Sequence, residues 1–327
     1  MSPSPRPQQP PLVLERTVRD FVRDHVCPTV PRGTDPGPAR DGVARLLGGP
    51  GQDAHVSEEW LSLPAPGRAR ITVRILRPVG ADGPLPVVLF LHGLGWMLTD
   101  ASAHGRLLTD LALGADAAVV VPDYARTPEA RYPVAVEQVY AAARWIARHG
   151  RDCRLDGERV ALLGASAGAN LAAALTLLAK ERGGVRFVHQ VLVCPVTDAG
   201  MDTGSYRDFA DGYFLGNGAM RHFWQQYAPR PADRYSSTAS PLRATDDELT
   251  GLPSALVVTA EADVLRDEGE HYAARLRQAG VDVTSVRYHG TVHGFVLFEA
   301  LRGSAASRAA RIQTTDTLHA ALHPWPH

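Results

Sequence analysis

The fold of this chain is decided by residues 159–168, which read Arg159-Val160-Ala161-Leu162-Leu163-Gly164-Ala165-Ser166-Ala167-Gly168. The first half is an apolar run typical of a buried strand, and a helix pattern follows over residues 169–180. A strand, a serine between glycines as G-x-S-x-G, and a helix together predict a nucleophile elbow. This turn is so sharp that side chains at Gly164 and Gly168 would collide with the neighbouring strand and helix. It presents the Ser166 hydroxyl to a base and a substrate, although the bare pentapeptide also occurs in plain Gly-rich turns.

Strand and helix patterns alternate on both sides of this elbow. Strands are predicted at residues 70–75, 86–91, 117–121, 160–163, 187–193, 255–259 and 281–288. Helices are predicted over residues 12–26, 134–148, 169–180, 217–227, 268–278 and 305–322. The alternation predicts an α/β fold with a mostly parallel central sheet and helices on both faces.

Two segments depart from this alternation. Residues 34–53 are rich in Gly, Pro and Asp, which predicts a loop. Residues 197–244 are polar and aromatic with one helical piece, and we interpret them as an insertion rather than a separate domain.

Composition excludes several classes of function. With 327 residues and a formal net charge of −1, the chain suits a large α/β domain and lacks the basic surplus of a nucleic-acid or anionic-membrane binder. No apolar run approaches the roughly 20 residues of a membrane span. Residues 1–11 are Pro-rich and polar without the apolar core of a signal peptide, which predicts a disordered tail and a cytoplasmic protein.

The three cysteines, Cys27, Cys153 and Cys194, are far apart in sequence and form no C-x-x-C pair. This spacing argues against a disulfide framework and against a metal site, and no cofactor is expected. Cys194 lies in an apolar strand pattern and is interpreted as inert core.

A serine nucleophile needs donors for the oxyanion that forms on its substrate. The run His92-Gly93-Leu94-Gly95-Trp96 directly follows the predicted strand at 86–91. Its backbone N–H groups are expected to point at the oxyanion together with that of Ala167. A plain Gly-rich strand exit is the structural alternative.

The serine also needs a base and an acid that orients the base. His293 follows the predicted strand at 281–288, with His289 as a nearby competitor that we interpret as structural. Asp263 follows the strand at 255–259. Its competitors are Asp267, which better suits an N-cap of the next helix, and Glu261, which suits loop support.

Several further motifs now make a resemblance visible over residues 57–322. Three parts of the chain resemble segments of the hormone-sensitive lipase family of α/β-hydrolases. They are Pro122-Asp123-Tyr124 with Pro128-Glu129, the acid loop at 261–269 and the histidine loop at 290–295. Within that family, the chain resembles the bacterial carboxylesterase and acetyl-hydrolase branch.

The resemblance implies a site and a cap. The implied triad is Ser166, Asp263 and His293, and the implied oxyanion donors are Leu94, Gly95 and Ala167. A helical cap is expected from residues 12–56 and from the insertion at 197–244, and the family often forms homodimers. The expected substrate pocket is lined by aromatic residues, namely Trp96, Tyr213, Phe214, Phe223 and Trp224. For the last four of these, simple packing within the cap is the alternative.

The chain departs from the family pattern at three positions. Leu94 replaces the central glycine of the expected HGGG run, Ala165 replaces the Asp before the nucleophile, and Ala169 replaces a glycine after the elbow. The Leu94 N–H can still donate, but its side chain is expected to crowd the substrate.

The predicted function is therefore hydrolysis of small-molecule short- to medium-chain acyl esters through an acyl-enzyme on Ser166. Because the histidine base must start neutral, activity is expected to fall below roughly pH 6 to 7. An acyltransferase or a dedicated biosynthetic deacetylase on the same triad is the first alternative. A non-catalytic ligand-binding homologue is the second.

Overall fold

Eight strands form one sheet in a computed structural model that describes residues 11–31, 33–48, 53–64 and 70–323. The strands are β1 (Val56–Pro64), β2 (Arg70–Pro78), β3 (Leu85–Leu91), β4 (Ala118–Asp123), β5 (Leu155–Ala165), β6 (His189–Val193), β7 (Ser254–Ala262) and β8 (Val283–Val292). Their order across the sheet is β1-β2-β4-β3-β5-β6-β7-β8. β2 pairs antiparallel with β1 and β4, and all the other pairs are parallel. The predicted mostly parallel α/β sheet is confirmed.

Helices connect these strands and cover the sheet. They are α1 (Arg16–Asp24), α2 (Gly37–Leu47), α3 (Gly105–Gly114), α4 (Val134–His149), α5 (Ala167–Arg182), α6 (Gly204–Asp208), α7 (Asn217–Tyr227), α8 (Asp246–Leu249), α9 (Arg266–Gln278) and α10 (Ala305–Leu322). α4 packs on α5, α10 packs on α3, and both α5 and α10 contact β3, β5 and β6. The predicted helices at 217–227 and 305–322 have the predicted ends, whereas α1 is shorter than the predicted 12–26.

The centre of the sheet explains where the site forms. β3 is buried at every residue, and β5 is buried from Val160 to Ala165, as expected for strands covered on both faces. Since β3, β5, β6, β7 and β8 run parallel, the loops that follow them meet at one edge of the sheet. The oxyanion-loop, elbow, acid-loop and histidine-loop sequences all lie in such positions.

The prediction of a loop over residues 34–53 is wrong, because α2 lies within it. Pro38 occupies the first turn of this helix, where its missing N–H costs nothing, and Val43 and Leu47 bury one face. The Arg40 guanidinium also pairs with Glu129 at 2.7 Å and donates to the Met97 carbonyl oxygen. Tertiary contacts therefore stabilise a helix whose composition is unfavourable.

The prediction that Asp267 caps the next helix is also wrong. The N-cap of α9 is Leu265, and Asp267 lies inside the first turn. Its carboxylate accepts the Ser205 N–H at 2.7 Å, so Asp267 binds the insertion instead of its own helix end.

The N-terminal segment and the insertion pack on each other. The Phe21 ring of α1 lies 5.2 Å from the Phe214 ring, and the Cys27 N–H donates to the Phe214 carbonyl at 2.9 Å. The insertion contains α6 as well as the predicted α7. Of the tail predicted at 1–11, residues 1–10 lie outside the described part of the chain.

Candidate active site

Ser166 lies at the turn between β5 and α5 with φ of 57° and ψ of −120°. A non-glycine residue at positive φ is strained, and such strain is common at functional sites. A Cβ at Gly164 would overlap the backbone of Gly168, and one at Gly168 would overlap the Leu91 carbonyl. The close approach predicted for the two flanking glycines is confirmed.

His293 follows β8 and faces the elbow. Its Nε2 atom lies 3.0 Å from the Ser166 Oγ atom, and its Nδ1 atom lies 2.8 Å from the Asp263 Oδ2 atom. All three residues are buried. This chain of hydrogen bonds is the arrangement that lets an imidazole take a proton from a serine hydroxyl.

Asp263 lies in the turn from β7 to α9, and both of its oxygens have partners. Oδ2 faces His293, and Oδ1 accepts the Leu265 N–H at 3.0 Å. The second bond fixes the carboxylate plane, so the acid is held in register with the imidazole.

The competitors for these roles lie elsewhere. Glu261 accepts the Gly290 N–H at 2.7 Å and lies 2.9 Å from the exposed His289 ring. Glu261 thus supports the histidine loop, as predicted, and His289 pairs with Glu261 at the surface. Asp267 binds Ser205, as described above.

The loop after β3 adopts an unusual backbone. Leu94, Gly95 and Trp96 have φ of 60°, 69° and 57°, three successive residues in the left-handed region. Within the described chain, no oxygen accepts the N–H groups of Leu94, Gly95 or Ala167. Free N–H groups at a helix start and an adjacent strained loop form the kind of site that binds an oxyanion.

Buried contacts hold this loop in place. The Tyr124 hydroxyl donates to the His92 carbonyl at 2.7 Å, and the two rings stack at 4.0 Å. The Thr127 N–H donates to the Trp96 carbonyl at 2.9 Å. Burial, followed by the nearby His104, lowers the pKa of His92 to about 3, so His92 is neutral and structural.

The predicted pocket residues fall into two groups. Trp96 belongs to the oxyanion loop, where its ring stacks on Tyr227 at 4.1 Å. Phe223 lies against the loop, since a Cβ on Gly95 would clash with it. The Trp224 ring lies 5.1 Å from that of Trp96.

The other two predicted pocket residues pack mainly on aromatic neighbours. The Phe214 ring lies 4.9 Å from Phe298, and the half-buried Tyr213 ring lies 5.1 Å from Phe209. A substrate-binding role for any of the five predicted residues stays a prediction.

Sequence reasoning missed two buried polar residues that brace the site. Asn170 donates to the carbonyls of Val196 and Ala239 at 3.0 and 2.8 Å, which ties the elbow helix to both ends of the insertion. Glu268 accepts the Thr197 N–H at 2.6 Å. An isolated Asn in the apolar run of α5 was the available signal for the first.

The fold and this arrangement of serine, histidine and aspartate define the class of α/β-hydrolases. A family model described as alpha/beta hydrolase fold matches residues 88–297, and the chain belongs to this family. The resemblance to the hormone-sensitive lipase group is thereby confirmed.

Named relatives and solved structures agree with this assignment. The carboxylesterase NlhH of Mycobacterium tuberculosis is 35% identical over 246 residues, covering 75% of this chain and 77% of its own. The carboxylic ester hydrolase LipN of the same organism is 41% identical, covering 79% and 69%. A thermostable esterase from Pseudomonas putida ECU1011 superimposes with a TM-score of 0.90 at 40% identity, covering 97% and 100%. Among the described residues, no helix is both long and apolar enough to cross a bilayer.

Proposed function

We propose that this protein is a serine carboxylesterase that hydrolyses short- to medium-chain acyl esters through an acyl-enzyme on Ser166. The observation that carries the proposal is the unbroken hydrogen-bond chain from Asp263 through His293 to Ser166. Relatives at 35 to 41% identity that are named carboxylesterases or carboxylic ester hydrolases support the same chemistry.

In the acylation step the Ser166 Oγ attacks the ester carbonyl carbon as His293 Nε2 takes the hydroxyl proton. Asp263 holds the Nδ1–H tautomer, which leaves Nε2 free as the base, and stabilises the imidazolium that forms. The imidazolium then returns the proton to the leaving alcohol. Water, activated by the same Nε2 atom, releases the acid and regenerates Ser166.

The negative charge on the tetrahedral intermediate needs donors already in place. We assign this role to the N–H groups of Leu94, Gly95 and Ala167. A donor of this kind is typically worth about 3 kcal/mol of barrier. The Tyr124 contact with His92 supports the assignment, because it keeps the loop rigid before substrate arrives.

A cap formed by α1, α2 and the insertion at 197–244 supports a preference for small acyl groups. Ser166 is only 4% exposed, and the aromatic rings of Trp96 and Phe223 crowd the oxyanion loop. The nearly buried serine is therefore expected to accept short- to medium-chain acyl groups most readily.

The proposal is tested with p-nitrophenyl esters of graded acyl length, with Ser166→Ala as the control. Hydrolysis that is fastest with short acyl chains and lost in the variant supports it. An added alcohol acceptor separates hydrolysis from transfer, because an acyltransferase would deliver most of the acyl group to the alcohol. Equal hydrolysis by the variant would overturn the assignment of Ser166.

A further inference from the structure

Cys194 adjoins the hydrogen-bonded pair of Asp263 and His293. It directly follows β6 with φ of 45°, and its N–H donates to the Val258 carbonyl at 2.7 Å. The Cys194 Sγ atom, an Asp263 carboxylate oxygen and a His293 ring nitrogen all lie within 4.8 Å of one another. All three side chains are buried.

These three donors are of the types that zinc prefers. Thiolate sulfur, imidazole nitrogen and carboxylate oxygen bind Zn²⁺ at about 2.3, 2.0 and 2.0 Å respectively, in tetrahedral sites. In a tetrahedral site these bond lengths place the donor atoms about 3.3 to 3.5 Å apart. A triangle with edges of at most 4.8 Å therefore closes on the ion with side-chain shifts of about 1 Å.

The backbone makes this convergence rigid. Cys194, Asp263 and His293 follow the adjacent parallel strands β6, β7 and β8, each within one residue of the strand end. The Leu265 N–H fixes the Asp263 carboxylate from the side opposite to the imidazole contact. Donors held on neighbouring strand ends lose little conformational entropy when they bind an ion.

We propose that Cys194, Asp263 and His293 form an inhibitory binding site for a thiophilic divalent cation, Zn²⁺ or Cd²⁺. The cation bonds to Sγ, to one Asp263 oxygen and to His293 Nδ1, with water in the fourth position. The thiol proton leaves to solvent as the metal–sulfur bond forms. The Nδ1 proton is also lost, and Nε2 gains one, so the imidazole stays neutral and one net proton is released per ion.

This binding removes the catalytic base, a consequence that rests on the proposed function. With Nδ1 bound to the metal, Nε2 carries the proton and faces the Ser166 Oγ at 3.0 Å as a donor. It can no longer accept the serine proton, and Asp263 is engaged by the metal. Binding of the ion itself does not depend on esterase activity.

The metal-free thiol is not a rival nucleophile. Burial, and after it the Asp263 carboxylate, raise the pKa of the Cys194 thiol well above its ordinary value, against a smaller opposite effect of the Gly294 N–H. Cys194 is therefore a neutral thiol until a cation replaces its proton.

The test uses the full chain and Cd²⁺, whose bond to a thiolate gives an ultraviolet charge-transfer band. Cys194→Ala and Cys194→Ser are compared with Cys153→Ala, a matched control at a half-buried thiol elsewhere. Circular dichroism checks that each variant is folded. We expect one band per chain in the natural protein and in Cys153→Ala, and none in either Cys194 variant.

Inhibition is measured with Zn²⁺ and p-nitrophenyl acetate, each variant being compared with its own metal-free rate. We expect chelator-reversible inhibition whose constant rises about 10-fold or more when Cys194 is replaced. Equal Zn²⁺ sensitivity and an undiminished Cd²⁺ band in the Cys194 variants would overturn the site. Absence of esterase activity without metal would overturn the proposed function instead, while the Cd²⁺ band still reports on the site.

Discussion

The Glu268 carboxylate accepts the backbone N–H of Thr197 at 2.6 Å, joining the first turn of α9 to the first residue of the insertion. The same oxygen accepts the Asp198 N–H at 3.3 Å, and the Thr197 hydroxyl donates back to the Glu268 carbonyl at 2.9 Å. Because Asp263 lies five residues earlier, this contact couples the root of the insertion to the acid loop.

Replacement of Glu268 separates its acceptor role from its charge. Glu268→Ala leaves the buried Thr197 N–H without an acceptor and should lower the free energy of unfolding by about 1 to 3 kcal/mol, with a smaller loss at the half-buried Asp198 N–H. Glu268→Gln keeps an acceptor oxygen, so its free energy of unfolding at acid pH should fall much less than that of Glu268→Ala. Equal urea midpoints for the two variants at pH 5 would show that the contact carries no stability.

The ionisation of Glu268 predicts that the stability difference between the natural protein and Glu268→Gln depends on pH. Burial, the largest cause, raises the pKa of Glu268 well above its ordinary 4.5, although the Thr197 and Asp198 N–H groups act in the opposite direction. A carboxyl group whose pKa is raised on folding stabilises the folded state below about pH 4.5. This stability is lost as the pH rises through the pKa that the group has in the folded protein. Glu268→Gln should therefore gain stability relative to the natural protein as the pH rises above about 4.5.

Asp263→Asn tests the orientation of the imidazole. An amide at this position favours the wrong tautomer of His293, and kcat should fall by about 10⁴-fold while the protein stays folded. The matched control is Asp267→Asn, whose carboxylate binds Ser205 outside the triad, and it should change kcat by less than about 10-fold. Comparable losses of p-nitrophenyl acetate hydrolysis in both variants would contradict the assignment of the acid.

Leu94→Gly tests the departure in the oxyanion loop. Leu94 is buried at φ of 60°, a conformation that glycine adopts without strain, and its side chain is expected to crowd bulky alcohols. The variant should raise kcat/KM for tertiary-alcohol esters relative to primary-alcohol esters by about 10-fold or more. Leu94→Ala, which keeps the Cβ, serves as the graded control, and unchanged selectivity in Leu94→Gly would refute the steric role.

Acid should destabilise the protein through buried neutral histidines. Burial, the largest cause, lowers the pKa of His104 to about 4 from its ordinary 6.5. A lowered histidine pKa stabilises the fold above about pH 6.5, and this stability is lost as the pH falls toward 4, with a slope of up to about 1.4 kcal/mol per pH unit.

His104→Asn removes this pH-dependent contribution to stability. Asparagine tolerates the left-handed backbone at this position, where φ is 62°. Urea denaturation between pH 4 and 7 should show a flatter pH dependence than in the natural protein. A slope in His104→Asn equal to that of the natural protein would contradict the prediction.

Local patterns were enough to predict seven of the eight described strands and the positions of the site. Buried strands such as β3 and a glycine-flanked serine carry their signal in consecutive residues. α2 was missed because Gly37, Pro38 and Gly42 lower its helix propensity, and its stability comes from the Arg40 contacts with distant residues. β1 was missed because its middle residues are exposed and polar, which weakens the alternation.

The surroundings of the site depend on contacts that no local pattern reports. Cys194 is distant from Asp263 and His293 in sequence, and only the order of β6, β7 and β8 brings them together. Asp267 was predicted from its position before a helix, yet its carboxylate binds Ser205 across 62 residues. In both cases the tertiary partner decides the role.

The most direct test of the central claim is mass spectrometry of the folded protein after reaction with a fluorophosphonate. The account predicts a single covalent adduct on the peptide that contains Ser166, formed in parallel with the loss of p-nitrophenyl acetate hydrolysis and absent from His293→Ala. Loss of hydrolysis with an adduct on another residue, or full hydrolysis by protein without reactive Ser166, would contradict it.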